Sequence, residues 1–260
     1  VLTALVGLPL LVFIIGWSRP WQFSAFVMLL TIRGLWEYFS MAFPRERAPR
    51  VAGLAAGVVI SMALLFPDFT EPGLWIAVAL IAVFALFLFF PGEIEDQYRS
   101  FGSSLIGIFY AGYLLPYMAL LFSLPQGRAW VFFVIGVVMA GDTAAYGIGS
   151  RLGRRRLAPR LSPNKTVEGA VGSFAIGLVA AGLANWAFAL SLPWPELLLL
   201  AAAVNVLAQL GDLFESWIKR AFSVKDAGAL LPGHGGLLDR MDSLIFPFVA
   251  VTYYVKLVRL

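Results

Sequence analysis

Between Asp212 and Asp242 the chain sets Asp212, Glu215, Lys219, Arg220, Lys225, Asp226, Asp239, Arg240 and Asp242, together with its only histidine, His234. That density is notable in a protein that is 60% hydrophobic and 13% charged. Carboxylates with no cysteine and a single imidazole suit Mg²⁺ better than zinc or copper, because Mg²⁺ takes hard oxygen ligands, few of them from protein and the rest from water and substrate phosphate. Residues 232–236 read PGHGG, a backbone free enough to approach a polyanion, and Lys219, Arg220, Lys225 and Arg240 supply positive charge around it. The chemistry served by such a mixture is chemistry on phosphates. A purely structural ion network is the alternative reading.

Two upstream stretches carry further candidates. Asp142 follows an apolar run, with Tyr146 and Ser150 on the same helical face, and an ionisable residue within a span is a functional-site candidate by default. The alternative is a carboxylate lying near the membrane interface. The arginine-rich loop Arg151 to Arg160 leads into SPNKTVEG, which contains Ser162, Asn164, Lys165, Thr166 and Glu168. Ser162 or Asn164 is expected to cap a helix beginning near Thr166, whose free N–H groups favour an anion, and Lys165 adds a point charge for phosphate. The arginines alone read equally well as a topology determinant.

The elements that must position these residues are membrane helices. A mean hydropathy of +0.85 and long apolar runs place the chain in lipid. Nine stretches are long enough to cross: residues 1–17, 21–43, 51–66, 74–90, 101–124, 129–150, 167–190, 196–220 and 241–260. The expected fold is all-α, a polytopic integral membrane protein of about nine transmembrane helices around a cytoplasm-facing polar cavity. It divides into N-terminal helices over 1–100 and a catalytic region over 101–260. The first stretch reads as a span rather than a signal peptide, since no small-residue cleavage site and soluble domain follow it. Pro116 and several glycines predict a kink or break in the fifth, and Pro91 to Ser100 reads as a charged, solvated loop. Fourteen of the 19 Lys and Arg residues fall in the connections after spans two, four, six and eight, which puts those connections and the N-terminus in the cytoplasm.

In the eighth span, Asn205, Gln209, Asp212, Ser216 and Lys219 share one stripe, with Glu215 and Arg220 at its margins. Lipid would leave such groups unsatisfied, so the stripe faces a bundle interior or a wet cavity; channels and transporters have such stripes too. In the second span, Arg33 and Glu37 are four residues apart and are read as a self-paired couple, where either charge alone would cost about 2.5 to 3.5 kcal/mol.

The run Ser216, Lys219, Arg220, Lys225, Asp226, Gly228, Leu231, Pro232, His234, Gly235, Gly236, Asp239, Arg240, Asp242 resembles the full signature of the phosphatidate cytidylyltransferases, or CDP-diacylglycerol synthases. GDTAAYGIGS and SPNKTVEGA are similar to the segments that precede it in that family. The resemblance implies reaction of CTP with phosphatidate to give CDP-diacylglycerol and pyrophosphate, with Mg²⁺ and a second, monovalent cation such as K⁺. It implies a homodimer in the bilayer of a bacterial inner membrane, with its active site facing the cytoplasm and no nucleic-acid partner. On that reading Asp212 and Asp239 hold metal, with Asp142 a further candidate. Lys219, Arg220, Lys225, Asp226, Arg240 and Asp242 complete the catalytic group. Ser162, Asn164, Lys165, Thr166, Glu168, Ser216, His234, Gly235 and Gly236 bind substrate. Other readings are another membrane phosphotransferase and a polytopic transporter of a phosphorylated solute. The DG-x2-AR-x8-G-x3-D-x3-D spacing of the CDP-alcohol transferases is missing, and a transporter would hold its charges near the midplane rather than at helix ends.

Overall fold

The computed structural model describes residues 2–67, 71–228 and 235–260. It is overwhelmingly helical, and among the described residues a helix falls on each of the nine apolar stretches. They are α1 (Leu2–Trp17), α2 (Pro20–Ala42), α3 (Arg47–Leu65), α4 (Pro72–Leu88), α5 (Ile94–Gly107) with its continuation α6 (Tyr117–Phe122), α7 (Gly127–Leu152), α8 (Val167–Ala187), α9 (Trp194–Ala221) and α10 (Leu238–Tyr254). Six helical stretches among the described residues are long and apolar enough to cross a membrane, and Pro72–Leu88 is a shorter apolar helix. The chain is therefore an integral membrane protein. Large side chains such as Leu29, Ile81, Leu88 and Leu199 stand exposed on helix surfaces, where hydrocarbon rather than water can cover them.

The helix ends follow from local chemistry. Proline opens α2 and α4, where its missing N–H costs no hydrogen bond. The fifth stretch differs from expectation at its start. The segment read as a loop is helical from Ile94, because Glu95 and Asp96 sit in the first turn, where they favour the helix dipole, and Glu95 pairs with Arg99 at 2.7 Å. Further on, the helix loosens into a π-helical segment, Ile108–Leu114, and restarts at Tyr117 just past Pro116. The predicted interruption is thus present.

The chain forms two compact units. One comprises Val1–Ser18, Leu121–Ser223 and Arg240–Leu260. Within it α7 packs along α8, and both meet α9. The last two helices are joined by Phe214 against Phe246, with ring centroids 5.6 Å apart, and by the Tyr254 hydroxyl donating to Glu196 at 2.7 Å. Between α7 and α8 lies a small antiparallel hairpin, β1 (Arg156–Ala158) and β2 (Ser162–Thr166), with an irregularity in register between its two ends.

The other unit comprises Arg19–Leu120 and Val224–Asp239. Its core packs α2, α3 and α5 around the π-helical segment, with Phe23, Leu35, Phe39, Ile60 and Tyr110 buried. Backbone approaches backbone at Gly57 and Gly112, where a Cβ on Gly112 would stand 2.8 Å from the Gly57 Cα. The Ser61 hydroxyl closes the same contact, lying 2.6 Å from the Gly112 carbonyl. Because the obstruction is main chain rather than a side chain that can rotate away, Gly112→Ala is expected to cost about 1–3 kcal/mol as overpacking. A thermal melt in detergent reads this as a drop of several degrees; an unchanged midpoint would show that the two segments separate easily.

Candidate active site

Along α9 the predicted polar stripe faces the interior of its unit. Asn205 is buried against Gly141 of α7 and Gly177 of α8 and donates to the Ala201 carbonyl one turn back, at 2.7 Å. Gln209 donates to the Ala170 carbonyl of α8 at 3.3 Å. Asp212 then meets Lys165 of β2, with Nζ to Oδ2 at 2.6 Å. Glu215 and Ser216 are buried, and Lys219 Nζ lies 2.6 Å from Glu215 Oε2. The upper part of the stripe is packing, and the part from Asp212 onward is ionic.

The hairpin brings its residues to that ionic end. Ser162 and Asn164 do not cap α8, contrary to the expectation from sequence, because the strand β2 continues through Thr166 and the helix begins only at Val167. The cap is Thr166, whose hydroxyl accepts the Gly169 N–H at 3.1 Å. Glu168, in the first turn of α8, accepts the main-chain N–H groups of Arg154 at 3.0 Å and Arg155 at 3.2 Å, so its carboxylate fastens the entrance of the hairpin. Arg220 reaches from the end of α9 to the Leu161 carbonyl at 3.4 Å. A cleft of about 390 Å³ opens at the hairpin base, lined by Arg151, Leu152, Gly153, Arg154 and Glu168.

Asp142 and Asp242 complete this group within the same unit. Asp142 lies within electrostatic reach of Asp212 and Lys165, and Asp242 within reach of Asp212, Glu215 and Lys219. The Ser243 hydroxyl joins them, lying 3.3 Å from Asp242 Oδ1 and hydrogen-bonding Asp142. Ser243 was not a sequence candidate, and a lone serine at the start of an apolar run carries no signal that would have found it.

Lys225, Asp226, Gly235, Gly236 and Asp239 belong to the other unit. Lys225 and Asp226 are exposed, as is Arg240 at the start of the segment that returns to the first unit. Asp239 Oδ2 accepts the N–H groups of Ala227 at 2.9 Å and Gly236 at 2.7 Å, which makes this carboxylate the pin of its loop. Gly235 turns the loop at φ +79°, a value that favours glycine. His234 lies outside the described residues.

Among the described residues no three Asp, Glu or His side chains converge as a ready metal cage. Mg²⁺ does not need one, since it binds through one or two carboxylates and completes its shell with water and substrate phosphate. The all-oxygen set of Asp142 and Asp212, with Lys165 as counter-charge, fits that demand.

Comparison with known proteins gives a consistent likeness. Residues 1–258 match the family model of the Cytidylyltransferase family. A phosphatidate cytidylyltransferase of Synechocystis sp. is 33% identical over 99% of this chain and 96% of its own length. One from Brucella suis is 35% identical over 88% of this chain and 82% of its own. A third, from Bacillus subtilis, is 44% identical across 143 residues, about half of each protein: 54% of this chain and 53% of the relative.

Proposed function

This chain belongs to the cytidylyltransferase family, and we propose that it is a membrane enzyme converting CTP and phosphatidate to CDP-diacylglycerol and pyrophosphate. A phosphate oxygen of phosphatidate forms a bond to the α-phosphorus of CTP, the bond from that phosphorus to the bridging oxygen breaks, and pyrophosphate leaves. The second pKa of a phosphate monoester is about 6, so the nucleophile is largely ionised at neutral pH and no general base is required. His234 on this reading contacts ligand or orders its loop.

The observation that carries the reading is the Asp212–Lys165 pair set among Asp142, Asp242, Glu215 and Lys219. Two polyanions must meet and a third must depart, so the task is positioning and charge neutralisation. Asp212 and Asp142 are the residues of the first unit that would hold Mg²⁺, and Asp239 is the candidate ligand of the other unit. Bound Mg²⁺ would offset phosphate charge and orient the triphosphate. Lys165, Lys219, Arg220 and Lys225 are assigned to phosphates, and Ser162, Asn164, Thr166, Ser216, Gly235 and Gly236 are assigned to substrate contacts. Glu168, Glu215, Asp226, Arg240 and Asp242 keep these groups oriented. The monovalent cation, the homodimer and placement in a bacterial inner membrane belong to the same proposal. A cytoplasm-facing site is supported by the asymmetry of basic residues, fourteen of 19 lying in or beside alternate connections between the apolar stretches.

The test is purified protein in detergent with phosphatidate, radiolabelled CTP and Mg²⁺. Lipid-soluble label should appear only when all three are present, and should fail when ATP or GTP replaces CTP. No lipid-soluble label from CTP would sink the proposal.

A further inference from the structure

Glu37 looks at first like half of a self-contained couple. Arg33 Nη2 lies 3.0 Å from Glu37 Oε1 on α2, as the four-residue spacing predicts. The other carboxylate oxygen faces a different part of the sequence. Glu37 is 2% exposed, and its Oε2 accepts the main-chain N–H of Leu238 at 3.0 Å, across a separation of 201 residues. The loop backbone lies directly on the carboxylate: a Cβ on Gly228 would stand 2.9 Å from Glu37 Oε1, and one on Gly236 would stand 2.5 Å from Oε2. One turn earlier on the same helix face, a Cβ on Gly34 would meet the Leu238 side chain at 3.1 Å.

We infer that Glu37 is a positioning residue for the reaction: it seats the loop that carries Lys225, Asp226 and Asp239, and so fixes where the Asp239 carboxylate is presented. Two carboxylates hold that loop. Glu37 bonds the Leu238 N–H and packs closely against Gly228 and Gly236, while Asp239 bonds the Ala227 and Gly236 N–H groups, so Gly236 lies between them. An ionised carboxylate suits the task because it is acceptor-only and can face converging backbone without a donor clash. Arg33 then serves as the counter-charge that allows an acceptor of this kind to be buried. All of these contacts lie within one compact unit. The inference rests on the cytidylyltransferase reading only for the statement that the loop is catalytic.

The test uses the full chain in detergent and compares wild type, Glu37→Ala, Gly228→Ala and the double variant by amide hydrogen exchange and by turnover. Removing Glu37 should speed exchange at Gly236 and Leu238 by at least about 10-fold while amides of α3 stay protected. Turnover should fall by about 10- to 100-fold, and the melting midpoint should also drop because Arg33 loses its counter-charge, so it is the pattern of exchange that reports the loop. The three atoms nearest a methyl on Gly228 all belong to Glu37, so Gly228→Ala should also loosen the loop, and it should add little once Glu37 is gone. Unchanged exchange at Gly236 and Leu238 in Glu37→Ala, or effects of the two substitutions that add as independent steps, would overturn the inference. If Glu37→Ala does not fold, Gly228→Ala alone decides: looser exchange confined to the loop supports the seat, and unchanged exchange removes it. A wild type with no CTP turnover but the same exchange pattern would point instead to failure of the enzymatic assignment.

Discussion

Asp239→Asn is expected to lower turnover by about 10²- to 10³-fold while leaving the protein folded, with a melting midpoint close to wild type. The substitution is chosen because it separates two jobs of one side chain. In the structure, Asp239 Oδ2 accepts from both Ala227 and Gly236, and the asparagine oxygen can accept the same two N–H groups. The loop seat is therefore largely kept, and what disappears is the charge. If Asp239 holds Mg²⁺, its negative charge is what would retain the ion, whose positive charge would offset the departing pyrophosphate, and turnover collapses even though hydrogen exchange at Gly236 stays slow. Turnover within about tenfold of wild type would rule Asp239 out as an essential metal ligand and leave it as a loop pin alone.

The membrane helices could be read from sequence because length and hydropathy act over twenty residues at a time and tertiary context rarely overrides them. Pro116 announced its own break for the same reason: a missing N–H is a local fact. The hairpin was not legible. Its strand Ser162–Thr166 is a short polar segment with a proline, and nothing local separates it from a helix-capping turn, so by residue type Ser162 and Asn164 look as fit to cap as Thr166. Within the site, the carboxylates and lysines of α9 were legible because polar groups at helical spacing stand out against an apolar background. The partners were not. Lys165 reaching Asp212, and Glu37 reaching Leu238, are contacts across 47 and 201 residues, and spacing rules describe only one helix at a time. Glu37 shows the consequence: the four-residue spacing from Arg33 predicts the ion pair but carries no sign of what the second oxygen meets.

The second large effect is expected at Asp212. Asp212→Asn should reduce turnover by about 10³-fold and move the Mg²⁺ concentration needed for half-maximal rate upward by at least about tenfold. Its contact with Lys165 at 2.6 Å offers a competing explanation, in which the carboxylate merely pins the hairpin and its loss leaves a stranded, partly buried ammonium. The two accounts part in the double variant. If the pair is only structural, Lys165→Met added to Asp212→Asn removes the stranded charge, and activity should recover toward wild type. If Asp212 serves the metal and Lys165 a phosphate, the double variant has lost both and should be no better than Asp212→Asn, while Lys165→Met alone should mainly raise KM for CTP. A Mg²⁺ titration of the four proteins decides between them, because a hairpin pin has no reason to alter the dependence on metal, whereas a ligand cannot be removed without doing so.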